Sequence, residues 1–132
     1  MERGLILETT FLVDLQRELA QKKGGPAQAF LEARSAEPLC VTFTVAGELA
    51  AGFSTGARAP WAEFIAPFEV LPCTPDVCWE YGQAYRYLQT NGLLIGGNDL
   101  WIAATAVAFG KPLVTRNVGE FRRVPGVEVL GY

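Results

Sequence analysis

The chain has 132 residues, half of them hydrophobic, with 11 basic and 14 acidic side chains and a formal net charge of −3. That is material for one ordinary domain with a real core, residues 1–132, and no apolar run approaches the roughly 20 residues that span a bilayer. The net charge has the wrong sign for a protein that grips nucleic acid over its whole surface, and the absence of histidine excludes paired-histidine ribonuclease chemistry, Ser-His-Asp or Cys-His hydrolysis and histidine-ligated zinc.

The amino terminus, Met1-Glu2-Arg3-Gly4, lacks the long apolar region of a secretory leader, which makes the cytoplasm the expected location. Leu5-Ile6-Leu7 is a continuous apolar run, the pattern of a buried parallel strand. After Glu8-Thr9-Thr10 a helical pattern runs through Phe11, Leu15, Leu19 and Ala20 until Lys22-Lys23-Gly24-Gly25-Pro26 stops it. A second helix through Phe30 and Leu31 leads to Glu37-Pro38, and Leu39-Cys40-Val41-Thr42-Phe43 reads as the next strand. A helix with Thr44 as N-cap follows through Val45, Leu49 and Phe53. Trp61, Phe64 and Ile65 give a short helix, and Phe68-Glu69-Val70-Leu71-Pro72 a strand. Thr74-Pro75-Asp76 starts a helix with a hydroxyl cap, a proline in the first turn and an acid beside it. Its apolar face carries Val77, Tyr81, Ala84 or Tyr85, and Leu88.

Gly96-Gly97 is read as the turn that aims Asp99, which opens a helix apolar nearly all round, Leu100 to Phe109; such a helix must be buried. Leu113-Val114-Thr115 is the fourth strand. Asn117 and Glu120 lie in a loop, and Val127-Glu128-Val129-Leu130 forms an edge strand. Cys40, Cys73 and Cys78 have no paired spacing of a zinc site and are expected as reduced thiols in the interior. Trp61, Trp79 and Trp101 sit in helical apolar patterns, as core or dimer contacts.

Strands alternating with helices imply right-handed crossovers and a mostly parallel sheet of four to five strands inside a three-layer α/β/α sandwich. The functional crevice of such a sheet lies beyond the carboxyl ends of its strands. Glu8 follows the first strand, Glu48 lies early in the helix after the second, and Asp99 opens the buried helix. Each has an ordinary alternative: a solvated strand end for Glu8, capping and the helix dipole for Asp99, and a plain surface position for Glu120. A capping box from Thr44 would fall on Gly47, so capping does not account for Glu48. Together the four acids point to magnesium, with manganese able to substitute, because these hard cations take oxygen ligands and activate water for phosphodiester hydrolysis.

The stretch from Gly92 through Asn98-Asp99-Leu100-Trp101 to Ala106, then Gly110-Lys111-Pro112-Leu113-Val114-Thr115-Arg116-Asn117 and Glu120-Phe121, resembles the carboxyl-terminal signature of PIN-domain toxins of the VapC family. Leu5-Ile6-Leu7-Glu8-Thr9-Thr10 and Thr44-Val45-Ala46-Gly47-Glu48-Leu49 resemble that family's first and second acidic segments. The resemblance implies a PIN-like fold, RNA cleavage at a magnesium or manganese site, a small antitoxin partner and a homodimer. It makes Glu8, Glu48 and Asp99 the principal metal ligands, Glu120 the fourth acid, and Thr9, Thr10 and Asn117 supporting polar groups. RNA contact falls to the basic stretch that holds Lys111, Arg116, Arg122 and Arg123. The family usually has aspartate at the first acidic position, so Glu8 leaves open a PIN fold that binds RNA or a partner with weakened or lost catalysis. A phospho-receiver domain shares the length, the early acid and a pair like Lys111-Pro112, but here that pair precedes a strand. A phosphatase with an aspartate nucleophile is opposed by Glu8.

Overall fold

Three apolar residues in succession make the strand around which the rest assembles. β1, Leu5–Leu7, is buried at every position, and it pairs in parallel with β2, Leu39–Thr42, on one side and with β4, Leu113–Val114, on the other. The computed structural model describes residues 3–132; Met1 and Glu2, on which the leader reading partly rests, lie outside the described residues. β3, Glu69–Leu71, pairs with β2, and β5, Val129–Leu130, pairs with β4, both in parallel. The sheet order is β3-β2-β1-β4-β5, so the expected parallel sheet of four to five strands has five.

The helices are α1 (Thr9–Gln21), α2 (Pro26–Ala33), α3 (Phe43–Ala51), α4 (Arg58–Ile65), α5 (Pro75–Thr90), α6 (Gly97–Phe109) and α7 (Val118–Phe121). α6 is buried at Leu100 and from Ile102 to Ala106, as an all-round apolar helix must be. α5 buries Val77, Ala84 and Leu88 on one face, with Tyr81 half-buried. Phe11, Phe121, Ile6 and Leu7 are among the largest fully buried side chains and join α1, α7 and the central strand in one core. None of the described helices is long and apolar enough to cross a membrane.

Several sequence expectations are corrected. The third helix begins two residues earlier than expected, because Thr42 rather than Thr44 caps it: the Val45 amide donates to the Thr42 hydroxyl at 3.1 Å. α1 stops where expected, at the start of the Lys22–Pro26 stretch, although it is Lys22, with a φ of 54°, and not a glycine that closes it in the left-handed region. Leu19 is 56% exposed, since α1 turns that side away from the sheet. Glu120 sits in the short α7 rather than in a loop. Gly96 and Gly97 keep ordinary backbone angles, and a Cβ on Gly96 would meet the Asp99 carboxylate only at 3.9 Å, so no glycine-specific turn aims Asp99. Of the three cysteines only Cys40 is buried; Cys73 is exposed in the turn before α5, and Cys78 is exposed in the first turn of α5, beside the buried Val77. Trp61 is half-buried and donates to the Ala46 carbonyl, and Trp101 stacks on Tyr81, but Trp79 is 67% exposed and is no part of this core.

Candidate active site

The site lies where the sheet delivers the carboxyl ends of β1, β2 and β4 to the starts of α1, α3, α6 and α7. Glu8 leaves β1 and serves as the N-cap of α1. Its Oε2 accepts the Thr10 amide at 2.7 Å, and its Oε1 accepts the hydroxyls of Thr10 at 3.0 Å and Thr115 at 2.6 Å. The residue is 3% exposed. A buried carboxylate is tolerable only when its oxygens are hydrogen-bonded, and here the cap and two hydroxyls meet that need. The threonines are held in turn: the Arg116 amide donates to Thr10 Oγ1 and the Asn117 amide to Thr115 Oγ1, each at 3.0 Å.

Asp99, in the first turn of α6, stands in the opposite condition. Its carboxyl is pushed up from the usual range to about 6, first by burial, then by the charges of Glu120, Glu8 and Glu48, with a hydrogen bond to Glu120 acting in the same direction. The amino-terminal end of the helix dipole offsets part of that pressure. Glu48, one helical turn beyond the start of α3, accepts the Thr9 hydroxyl at 2.9 Å. Glu48 also lines a shallow cleft of about 390 Å³ with Thr44, Asn98 and Trp101. A larger cleft of about 680 Å³ between α3 and α4, lined by Phe53, Thr55, Arg58 and Trp61, holds none of the four acids.

The structure thus brings Glu8, Glu48, Asp99 and Glu120 into one electrostatic unit, with Thr10 on Glu8 and Thr9 on Glu48. Among the described residues no three of these acids are gathered into a ready-made cation cage. They nevertheless fit a hard cation: every donor is oxygen, and the charge pressure that lifts Asp99 is what a bound cation relieves.

Asn117 contributes its backbone amide; its side chain is exposed and makes no cap hydrogen bond. Arg116 directs its guanidinium to Asp14, at 3.0 and 3.3 Å, while its side chain stays 56% exposed. Arg122 is exposed, and Arg123 reaches the carbonyls of Leu93 and Leu94 at 3.5 Å. Sequence reasoning missed Thr115 as a partner of Glu8, although a hydroxyl closing the strand beside β1 was the available signal. It also missed Asp14 and Tyr132. The Tyr132 hydroxyl donates to Asp14 and to the Thr10 carbonyl, the latter at 3.3 Å, and burial followed by the Asp14 bond pushes its pKa up, so the phenol stays protonated.

The PIN domain family model matches residues 5–127 of the chain. Ribonuclease VapC2 of Rickettsia felis is 38% identical over 64 residues, 48% of this chain and 48% of that protein. Ribonuclease VapC of Rickettsia bellii is 28% identical over 132 residues, covering 96% of this chain and 95% of that protein. Among solved structures, VapBC2 from Rickettsia felis bound to a DNA fragment from their promoter superposes with a TM-score of 0.80 at 26% identity, over 97% of this chain and 98% of that one.

Proposed function

This chain belongs to the PIN-domain family, and from that premise we propose that it is an endoribonuclease, the toxin component of a type II toxin–antitoxin pair. The observation that carries the reading is the gathering of Glu8, Glu48 and Glu120 around a half-buried Asp99, whose carboxyl is raised to about 6 first by burial and then by their charges. Glu8, Glu48, Asp99 and Glu120 are the residues that would hold magnesium or manganese. When bound, such an ion lowers the pKa of an attacking water and neutralises charge on the phosphodiester.

The chain's own residues do the rest. In the metal-free site Asp99 keeps its proton below about pH 6, and yields it when a cation takes the charge. Thr9 orients Glu48, while Thr10 and Thr115 fix Glu8. Arg122 and Arg123, exposed just beyond α7, are the side chains that would meet RNA phosphates; Arg116 offers the free edge of a guanidinium already anchored on Asp14. The partner is a small antitoxin protein, the active form is a homodimer, and the cytoplasm is where its RNA substrate is met.

Cleavage of a total RNA mixture with Mn²⁺, with Mg²⁺ and with EDTA, alongside Asp99→Asn, tests this directly. Metal-dependent cutting lost in the variant is the expected result; equal inertness of both proteins with either ion would overturn it. One observation favours a second reading, a PIN fold with weakened catalysis: both Glu8 oxygens are already engaged by Thr10 and Thr115. Activity that rises in Glu8→Asp would identify a detuned nuclease, and silence in both would leave a binding module.

A further inference from the structure

Two nucleophilic side chains stand outside the acidic pocket and in contact with each other. The sulfurs of Cys73 and Cys78 lie 3.7 Å apart, both residues exposed, while Cys40 is buried. The backbone between them is a held turn. Pro72 precedes the segment and Pro75 lies within it, both restricting its dihedrals, the Thr74 hydroxyl accepts the Val77 amide at 3.2 Å, and the Cys78 amide donates to the Thr74 carbonyl at 3.0 Å. The pair therefore needs no loop closure to meet, and the ordering entropy that opposes most disulfides is already spent in the fold. The Cys73 thiol is raised by desolvation and then by its bond to Cys78, as close sulfur contact requires.

We propose that Cys73 and Cys78 form a reversible thiol-oxidation site that closes to an intramolecular disulfide when a low-molecular-weight disulfide, such as oxidised glutathione, supplies the oxidising equivalents. In the first step the thiolate of one cysteine attacks a sulfur of the small disulfide, forming a mixed disulfide and releasing one small thiolate. The neighbouring cysteine thiolate then attacks the protein sulfur, the Cys73–Cys78 bond forms, and the second small thiolate leaves. Two protein thiols are oxidised, one small disulfide is reduced to two thiols, and the two protons pass to them. Closure links the loop after β3 to the first turn of α5. One turn further along, Tyr81 of α5 stacks on Trp101 at 4.0 Å. Trp101 shares the 390 Å³ cleft with Glu48, so the staple sits on the helix that buttresses the pocket wall.

The test is intact mass and alkylation of the full-length reduced protein after incubation with oxidised glutathione, before and after dithiothreitol. The expected product has lost two hydrogens, keeps Cys40 as the one alkylatable thiol after unfolding, and returns to the starting mass on reduction. Cys73→Ser, lacking the resolving thiol, is expected to retain one glutathione on Cys78. A stable glutathione adduct on the unsubstituted protein, a disulfide-linked dimer, or three thiols still open to alkylation would each overturn the proposal.

Discussion

Glu8 and Asp99 belong to one pocket and carry the same charge, yet the fold treats them in opposite ways. At the corner between β1 and β4, Glu8 is 3% exposed and receives an amide and two hydroxyls. At the corner between α6 and α7, Asp99 is half-buried and faces three other acids, and burial first and their charges second raise its carboxyl to about 6. The difference teaches where binding free energy for a cation resides. A satisfied carboxylate gains little from a new partner, whereas a frustrated one gains the relief of its repulsion.

The largest effect that sharpens this contrast is on turnover. Asp99→Asn is expected to lower metal-supported RNA cleavage on the order of 100-fold or more while leaving stability unchanged or raised, read by single-turnover kinetics and urea denaturation. The mirror experiment is Thr115→Val, which removes the 2.6 Å donor to a buried carboxylate. A loss of about 1–3 kcal/mol in urea unfolding is expected, and a loss below 0.5 kcal/mol would break the claim that Glu8 depends on its hydroxyls.

A third measurement is thermal stability against pH in the metal-free protein. Because Asp99 holds its proton more tightly folded than unfolded, its contribution is fully present below its ordinary value of 3.8 and is lost as pH rises through about 6. Asp99→Asn is expected to flatten the curve across that window, and Mn²⁺ to restore stability above it; an unchanged slope in the variant would assign it elsewhere. The smallest effect belongs to Asn117→Ala, under about 0.5 kcal/mol, since that exposed side chain makes no cap hydrogen bond.

Much of this was legible in the linear sequence where the signal is local. Leu5–Leu7, the Thr74-Pro75-Asp76 start and the all-round apolar α6 announce themselves by composition and spacing, and the placing of Glu8, Glu48 and Asp99 at strand ends and helix starts follows from them. What was not legible depends on distant partners. Thr115 meets Glu8 across 107 positions, and although its place at the end of the fourth strand is a local signal, the partner it meets is not. The cap on α3 was missed because Thr42 and Thr44 offer the same hydroxyl two residues apart, and only the strand's last hydrogen bonds decide between them. Cys73 and Cys78 were misplaced inside the core because their exposure depends on how the turn before α5 and the first turn of α5 meet the surface.

The same 107-residue separation has a meaning for synthesis. β1 emerges early and lies at the centre of the sheet, but β4, Thr115 and Glu120 follow only after most of the chain is made. At about 5–20 residues per second, roughly 5–20 s pass between the appearance of Glu8 and that of Thr115 on the ribosome. Throughout that interval the nascent polypeptide owns half a pocket and a carboxylate without its partner. It is born unarmed, and a stalled or truncated copy stays so.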